Sequence, residues 1–157
     1  MKIMSSRETV MVVAAHPDDE VLGCGGTIVR HVDQATDVHV VIMTQGVTSR
    51  LSEEDTQAAL EVDRLRSACE QANRCLGTST IKQCRYPDNR MDSVDLLDIV
   101  KTLESEIDRI QPTIVYTHHG GDLNIDHQVT FKAVMTASRP TPMSSIDQIL
   151  CFEVPSS

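Results

Sequence analysis

Aromatic side chains are scarce in this sequence of 157 residues, and basic side chains are fewer than acidic ones. Tryptophan is absent and aromatic residues make up only 3% of the chain, so the core has to be built from aliphatic side chains. The 14 lysines and arginines are outnumbered by 23 aspartates and glutamates, which gives a formal net charge of -9. Such a surface repels phosphate groups, and single-stranded nucleic acids are bound on aromatic platforms. Nucleic acids and anionic membranes are therefore not expected partners.

Cysteine pairs and long apolar runs are also missing. The five cysteines are odd in number and none has C-x-x-C spacing, which argues against a disulfide framework and a thiolate zinc site. We interpret them as reduced thiols that act as small hydrophobic groups. The sequence shows neither a signal peptide nor an apolar run long enough to cross a membrane. These absences predict a cytoplasmic protein without a membrane span.

Apolar runs that alternate with amphipathic segments are what the sequence does contain. Runs rich in β-branched residues predict strands at residues 9–15, 37–43, 81–85, 113–117 and 146–154. Helical spacing predicts helices at residues 21–32, 53–76, 93–110 and 126–137, with Gly77 ending the second and Ser93 capping the third. This alternation predicts an α/β fold whose mostly parallel sheet is flanked by helices on both faces.

A first polar cluster, residues 16–20 with the sequence HPDDE, directly follows the first predicted strand. Its carboxylates repel one another unless a cation neutralises them. Ligands of parallel sheets bind beyond the carboxyl ends of the strands, which is where this cluster falls. Because imidazole and carboxylate groups both bind zinc, the cluster indicates a metal site.

A second polar cluster, residues 118–127 with the sequence HHGGDLNIDH, follows the fourth predicted strand. One histidine from it would complete a three-ligand site that leaves a coordination position open, as catalytic zinc sites do. Either cluster alone could be a solvated loop. Two clusters at the ends of two parallel strands favour the metal site.

The two clusters, together with Gly23–Thr27 behind the first, resemble the LmbE-like (PIG-L) family of zinc-dependent N-deacetylases. The similarity runs from about Val10 to the end of the sequence. It implies a Rossmann-like three-layer fold, a Zn²⁺ cofactor and the removal of an N-acetyl group from an N-acetylglucosamine-type amino sugar or glycoconjugate. Fe²⁺ would suit the same donors.

The resemblance also implies roles for individual residues. His16, Asp19 and His127 correspond to metal ligands, and Asp18 corresponds to the general base that activates water. Asp126 fits a residue that orients an imidazole, and we interpret Glu20 as a support for the first cluster.

Two departures from the family pattern are visible. Asn124 stands where many members have a histidine that stabilises the oxyanion, so His118 or His119 could take over that role. Family members also continue well past the last predicted strand. We therefore expect residues 1–157 to form a single deacetylase domain that lacks the usual C-terminal portion.

Substrate contacts and the substrate itself are less well defined. The candidate substrate residues are Arg66, Asp88, Arg90, His118 and His119. An amidase of a thiol-cofactor conjugate and a non-catalytic metal- or sugar-binding domain stay open as alternatives, although the second would not need Asp18. A homo-oligomer is also open.

Overall fold

The computed structural model describes residues 8–46 and 56–155. Its strands and helices are, in chain order, β1 (Thr9–Ala14), α1 (Asp19–Asp33), β2 (Asp37–Thr44), α2 (Thr56–Leu76), β3 (Thr80–Tyr86), α3 (Leu96–Ile110), β4 (Ile114–His118), α4 (Ile125–Ala137) and β5 (Gln148–Phe152). The predicted start of α2 at residue 53 lies outside the described residues. Within them, no helix combines the length and apolarity needed to cross a bilayer.

All five strands are parallel, in the order β3-β2-β1-β4-β5. The prediction of a Rossmann-like α/β fold is confirmed. The chain builds the sheet outward from β1 to β3 and then returns to place β4 on the other side of β1. The carboxyl ends of β1 and β4 therefore flank the topological switch point, where such sheets bind their ligands.

Helices cover both faces of the sheet and enclose two separate cores. Met11 and Val13 of β1 belong to the core under α3 and α4, which contribute residues such as Leu103. Val12 belongs to the opposite core, under α1 and α2, with Ile28. Because side chains alternate along a strand, a central strand must be apolar at every position, and this explains the continuous apolar run of β1.

The start of α3 differs from the sequence prediction. The helix begins at Leu96 with Asp95 at its N-cap, so the prediction that Ser93 caps it is wrong. Ser93 instead ends a short 3-10 turn whose first residue, Met91, is fully buried. The backbone N–H of Met91 donates to Asp126 Oδ1 at 3.0 Å. This tertiary contact holds the turn apart from the helix.

Two glycines have defined structural tasks. Gly77 has a φ of 81°, and its N–H donates to the carbonyl of Asn73 at 3.1 Å, so its predicted place at the end of α2 is confirmed. Gly23 lies where α1 approaches β5, and a Cβ atom there would overlap the ring of Phe152. The glycine-rich stretch thus permits close packing directly behind the first polar cluster.

Candidate active site

The two polar clusters meet at the carboxyl ends of β1 and β4. His16 Nδ1 lies 3.1 Å from Asp19 Oδ2 and 3.2 Å from His127 Nε2. The third side of the triangle, from His127 Nε2 to Asp19 Oδ2, is also 3.2 Å. Asp19 and His127 are buried, whereas the His16 side chain keeps 15% of its surface exposed. We call these three atoms the donor triangle.

The dimensions of the donor triangle fit a metal ion. In a tetrahedral zinc site with nitrogen and oxygen ligands, bond lengths near 2.0–2.1 Å place neighbouring donor atoms about 3.3 Å apart. Two imidazole nitrogens and one carboxylate oxygen are also a donor set that zinc accepts. The residues that sequence analysis named as metal ligands are therefore brought together with spacing that suits the ion.

Asp18 lies next to the triangle and occupies the N-cap position of α1. Its backbone carbonyl accepts the N–H groups of Val21 and Leu22, at 3.0 and 2.9 Å. Its side chain makes no capping hydrogen bond and is exposed. Partial burial and the neighbouring charge of Asp19 raise the pKa of Asp18. This carboxylate is thus available to handle a proton beside the triangle.

Asp126 holds the far side of the His16 ring. Its Oδ2 lies 3.2 Å from His16 Nε2 and accepts the backbone N–H of Asn89 at 2.6 Å. The other oxygen accepts the N–H of Met91, and Asp126 itself is completely buried. A carboxylate partner of this kind fixes the ring orientation and leaves the opposite nitrogen free for a ligand.

Asp122 does the same for His127 and was missed by sequence analysis as an individual residue. Its Oδ2 lies 2.8 Å from His127 Nδ1. The available signal was a carboxylate inside the second polar cluster, on the glycine-rich turn before α4. Nothing in the sequence distinguished it from Asp126, because only the fold shows which carboxylate meets which imidazole.

The charges of the triangle depend on one another. Burial alone would lower the pKa of His16, but hydrogen bonds with Asp126 and Asp19 raise it to about 10. Burial would raise the pKa of Asp19, yet its hydrogen bonds with His127 and His16 hold it below the usual range. Among the described residues, the only basic side chains within 4 Å of the Asp19 carboxylate are imidazoles. The site thus favours positive charge between its carboxylates, which a divalent cation also supplies.

Asn124 is the N-cap of α4. Its Oδ1 accepts the backbone N–H groups of Asp126 and His127, at 2.9 and 3.4 Å. It therefore positions the helical turn that carries both side chains to the site. Its oxygen is occupied by this cap.

Glu20 is fully buried behind the first cluster. Its Oε1 accepts a hydrogen bond from Asn73 Nδ2 at 2.7 Å, which ties the first turn of α1 to α2. This contact suits the supporting role assigned to it from the sequence.

The two histidines at the end of β4 have different surroundings. His118, a candidate substrate residue from the sequence, is completely buried. Burial and the nearby His127 lower the pKa of His118 to about 3. His119 is exposed and lines a cleft of about 430 Å³ together with Asp122 and Glu153.

The other candidate substrate residues separate into near and distant ones. Asp88 is buried with its Oδ1 3.4 Å from His16 Nε2, and Arg90 is exposed on the same loop. Arg66 is exposed, pairs with Asp63 at 3.0 Å and borders another cleft of about 250 Å³. No member of the donor triangle lines that cleft.

Comparison with known proteins identifies a family that matches most of the chain. The family described as GlcNAc-PI de-N-acetylase (PIG-L) matches residues 11–138, which include the whole donor triangle. YaiS of Escherichia coli K12, described as an uncharacterized deacetylase, is 30% identical over 157 residues, covering 97% of this chain and 77% of YaiS.

Two solved structures show the same fold. The N,N'-diacetylchitobiose deacetylase of Pyrococcus horikoshii is 26% identical with a TM-score of 0.74, over 88% of this chain and 52% of that protein. GalB of Pseudomonas putida, a 4-carboxy-2-hydroxymuconate hydratase, is 28% identical with a TM-score of 0.72, over 83% of this chain and 55% of that protein. The chain thus spans about half the length of these two proteins. By its sequence match across most of the chain, it belongs to the PIG-L family.

Proposed function

We propose that the protein is a zinc-dependent hydrolase that removes an N-acetyl group from an N-acetylglucosamine-type amino sugar or glycoconjugate. The observation that carries the proposal is the donor triangle with an exposed carboxylate, Asp18, directly beside it. The family description and the name of the chitobiose deacetylase support the acetyl group and the sugar.

The proposed metal ligands are His16, Asp19 and His127, with Asp126 and Asp122 orienting the two imidazoles. Zinc bound there would supply Lewis acidity, which makes a water molecule more acidic and an amide carbonyl more electrophilic. Fe²⁺ accepts the same donors, so metal analysis has to identify the native ion.

Asp18 is the proposed general base and acid. It would take a proton from the attacking water and return it to the leaving amine, so that one water is consumed and acetate and a free amine are formed. Its raised pKa helps it to hold that proton between the two steps. Asn124 keeps its amide N–H groups as neutral donors for the acyl oxygen, because its cap uses only the oxygen.

We place the substrate at the open side of the triangle, between the loop that carries Asp88 and Arg90 and the cleft lined by His119. Arg66 is not part of this proposed surface, because it borders the other cleft. The partner is a small acetylated molecule. The cytoplasmic location and the homo-oligomer stay predictions.

A hydratase is the second candidate, favoured by the 28% identity to GalB. Adding water to a carbon–carbon double bond uses the same kind of acid–base group near a cation. An amidase of a thiol-cofactor conjugate would use the proposed chemistry unchanged and differ only in the substrate. A non-catalytic domain would bind metal without turnover.

The deciding experiment measures metal content and product formation on the same preparation of the chain. We expect one metal per chain and chelator-sensitive release of acetate from N-acetylglucosamine or N,N'-diacetylchitobiose. The D18N variant should keep its metal and lose about 100-fold or more in kcat, as expected for an acid–base group. Asp33→Asn, at the exposed far end of α1, is the matched control and should be fully active.

Three outcomes would contradict the proposal in different ways. A chain that binds no metal removes the basis of the donor triangle. Metal-bound protein that hydrates an unsaturated tricarboxylate such as 4-carboxy-2-hydroxymuconate but releases no acetate supports the hydratase. Full activity of D18N would show that another group moves the proton.

A further inference from the structure

We infer that His118 is a positioning residue that joins the two metal-binding segments, by accepting the Ala15 N–H and by stacking on the His127 ring. This inference rests on the proposed metal site. It adds a residue that neither contacts the substrate nor binds the ion.

The first contact controls the direction of the chain as it enters the first polar cluster. Ala15 lies between the end of β1 and His16, and its backbone N–H donates to His118 Nε2 at 2.8 Å. Its carbonyl accepts both the N–H and the Oγ1 hydroxyl of Thr44, at 2.9 and 3.0 Å. Ala15 is therefore held by β4 on one side and β2 on the other. A fixed peptide immediately before His16 limits the positions that this ligand can reach.

The second contact controls the ring of His127. The His118 and His127 rings are stacked with centroids 3.8 Å apart and planes inclined by 18°. The Phe152 ring of β5 also lies 4.7 Å from His118. Because Gly23 fits closely against Phe152, this row of rings has little room to shift. Asp122 at Nδ1 restrains the His127 ring within its plane. The stacked His118 ring restrains it from one face.

Its hydrogen bond explains why His118 is not itself a ligand. His118 Nε2 lies only 3.5 Å from Asp19 Oδ2, close to the donor triangle. The lone pair of Nε2 is already engaged by the Ala15 N–H, so it is not available to a metal. His118 therefore acts through the residues on either side of it.

Two substitutions separate the two contacts. His118→Phe keeps a ring against His127 but leaves the buried Ala15 N–H without its acceptor. His118→Gln keeps an acceptor but loses the ring. We expect each variant to bind zinc about 10-fold to 100-fold more weakly, in the range typical of residues that orient metal ligands. Competition with a chromophoric chelator measures this, and saturating zinc should return kcat to within a few-fold of the original value.

The matched control is Thr117→Val. Thr117 is the neighbour of His118 on β4, is completely buried, and its Oγ1 has no hydrogen-bond partner among the described residues. This variant should bind zinc like the unchanged chain. Cobalt-loaded protein gives a second readout, because its visible spectrum reports ligand geometry. We expect that spectrum to change in both His118 variants and to stay the same in Thr117→Val.

The outcomes distinguish this inference from the proposed function. If the unchanged chain binds no metal, both fail. If it binds metal, and a folded His118 variant shows the original affinity and cobalt spectrum, the inference alone is overturned. Should His118→Phe fail to fold, His118→Gln decides by the same two measurements.

Discussion

Buried carboxylates occur in two regions of this protein, and their partners differ. At the donor triangle, the side-chain groups that face Asp19 are imidazoles. On α3, the buried Glu106 binds Lys82 Nζ at 2.7 Å and Arg109 at 2.6 Å. Lysine and arginine are charged at neutral pH, so the chain itself neutralises Glu106. Imidazoles carry charge only when protonated and otherwise offer lone pairs to a metal.

The difference teaches that burial of a carboxylate does not by itself mark a site. The Lys82 and Arg109 side chains are 39% and 50% exposed, so water shares in the solvation of the Glu106 cluster. The triangle lies instead at the carboxyl ends of β1 and β4, where α1 and α4 begin. We therefore expect substitutions in the two regions to affect different properties.

Removing a ligand should have the largest effect. We expect His127→Ala to weaken zinc binding by more than about 100-fold, beyond the 10-fold to 100-fold loss typical of residues that only orient ligands. It should also abolish any stabilisation by added zinc in thermal unfolding. His39→Ala is the control, because the His39 ring on β2 hydrogen-bonds only to the Thr80 side chain among the described residues. Equal zinc affinity in the two variants would refute the assignment.

Loss of the carboxylate behind His127 should have a smaller effect. Asp122→Asn keeps the shape but makes the imidazole less basic, so zinc affinity should fall about 10-fold. Isothermal titration with zinc measures it. Glu153→Gln removes a charge from the same cleft without touching His127, and it should leave zinc affinity unchanged. If the zinc affinity of both variants falls equally, the net charge of the cleft controls binding and the hydrogen bond between Asp122 and His127 does not.

Substitutions in the cluster of Glu106, Lys82 and Arg109 should lower the stability of the fold and leave metal binding unchanged. We expect Glu106→Gln to reduce the free energy of unfolding by about 1–2 kcal/mol at pH 7, less than a fully buried pair because its cations are half exposed. Glu104→Gln, which breaks the more exposed pair with Arg139 on the same helix, should cost less than about 0.5 kcal/mol. Urea unfolding measures both. Altered zinc affinity in Glu106→Gln would break the distinction between the two regions.

The stabilisation that Glu106 contributes depends on pH, and the sign of this dependence follows from its pKa. Burial would raise the pKa of Glu106, but its bonds to Lys82 and Arg109 lower it. The folded state therefore binds a proton at Glu106 less readily than the unfolded chain does, because glutamates in an unfolded chain have a pKa of about 4.3. The stabilisation is present above that pH and is lost as the pH falls through the folded pKa. The difference in free energy of unfolding between the unchanged chain and Glu106→Gln should therefore become smaller at acidic pH.

The sequence predicted the order and type of the elements, because β1 and β2 are apolar throughout and the helices have clear periodicity. It failed at the start of α3, where the contact between Met91 and Asp126 overrides a plausible cap at Ser93. Local signals do not contain contacts between segments so far apart in the chain.

The motifs also predicted which side chains meet at the site. They could not predict that Asp122 pairs with His127, or that His118 turns inward while His119 stays exposed. Both facts depend on the path of one glycine-rich turn relative to α4 and β5. Neighbouring residues of the same type cannot be distinguished before that path is known.

The pairing of β1 with β4 also has a consequence for how the chain folds. Val10 pairs with Ile114, and β2, α2, β3 and α3 all lie between them in the sequence. A metal ion bound to His16 and His127 together would close this long loop. It would stabilise only chains in which β1 and β4 have already paired. The time at which zinc binds during refolding would thus report when β1 and β4 have paired.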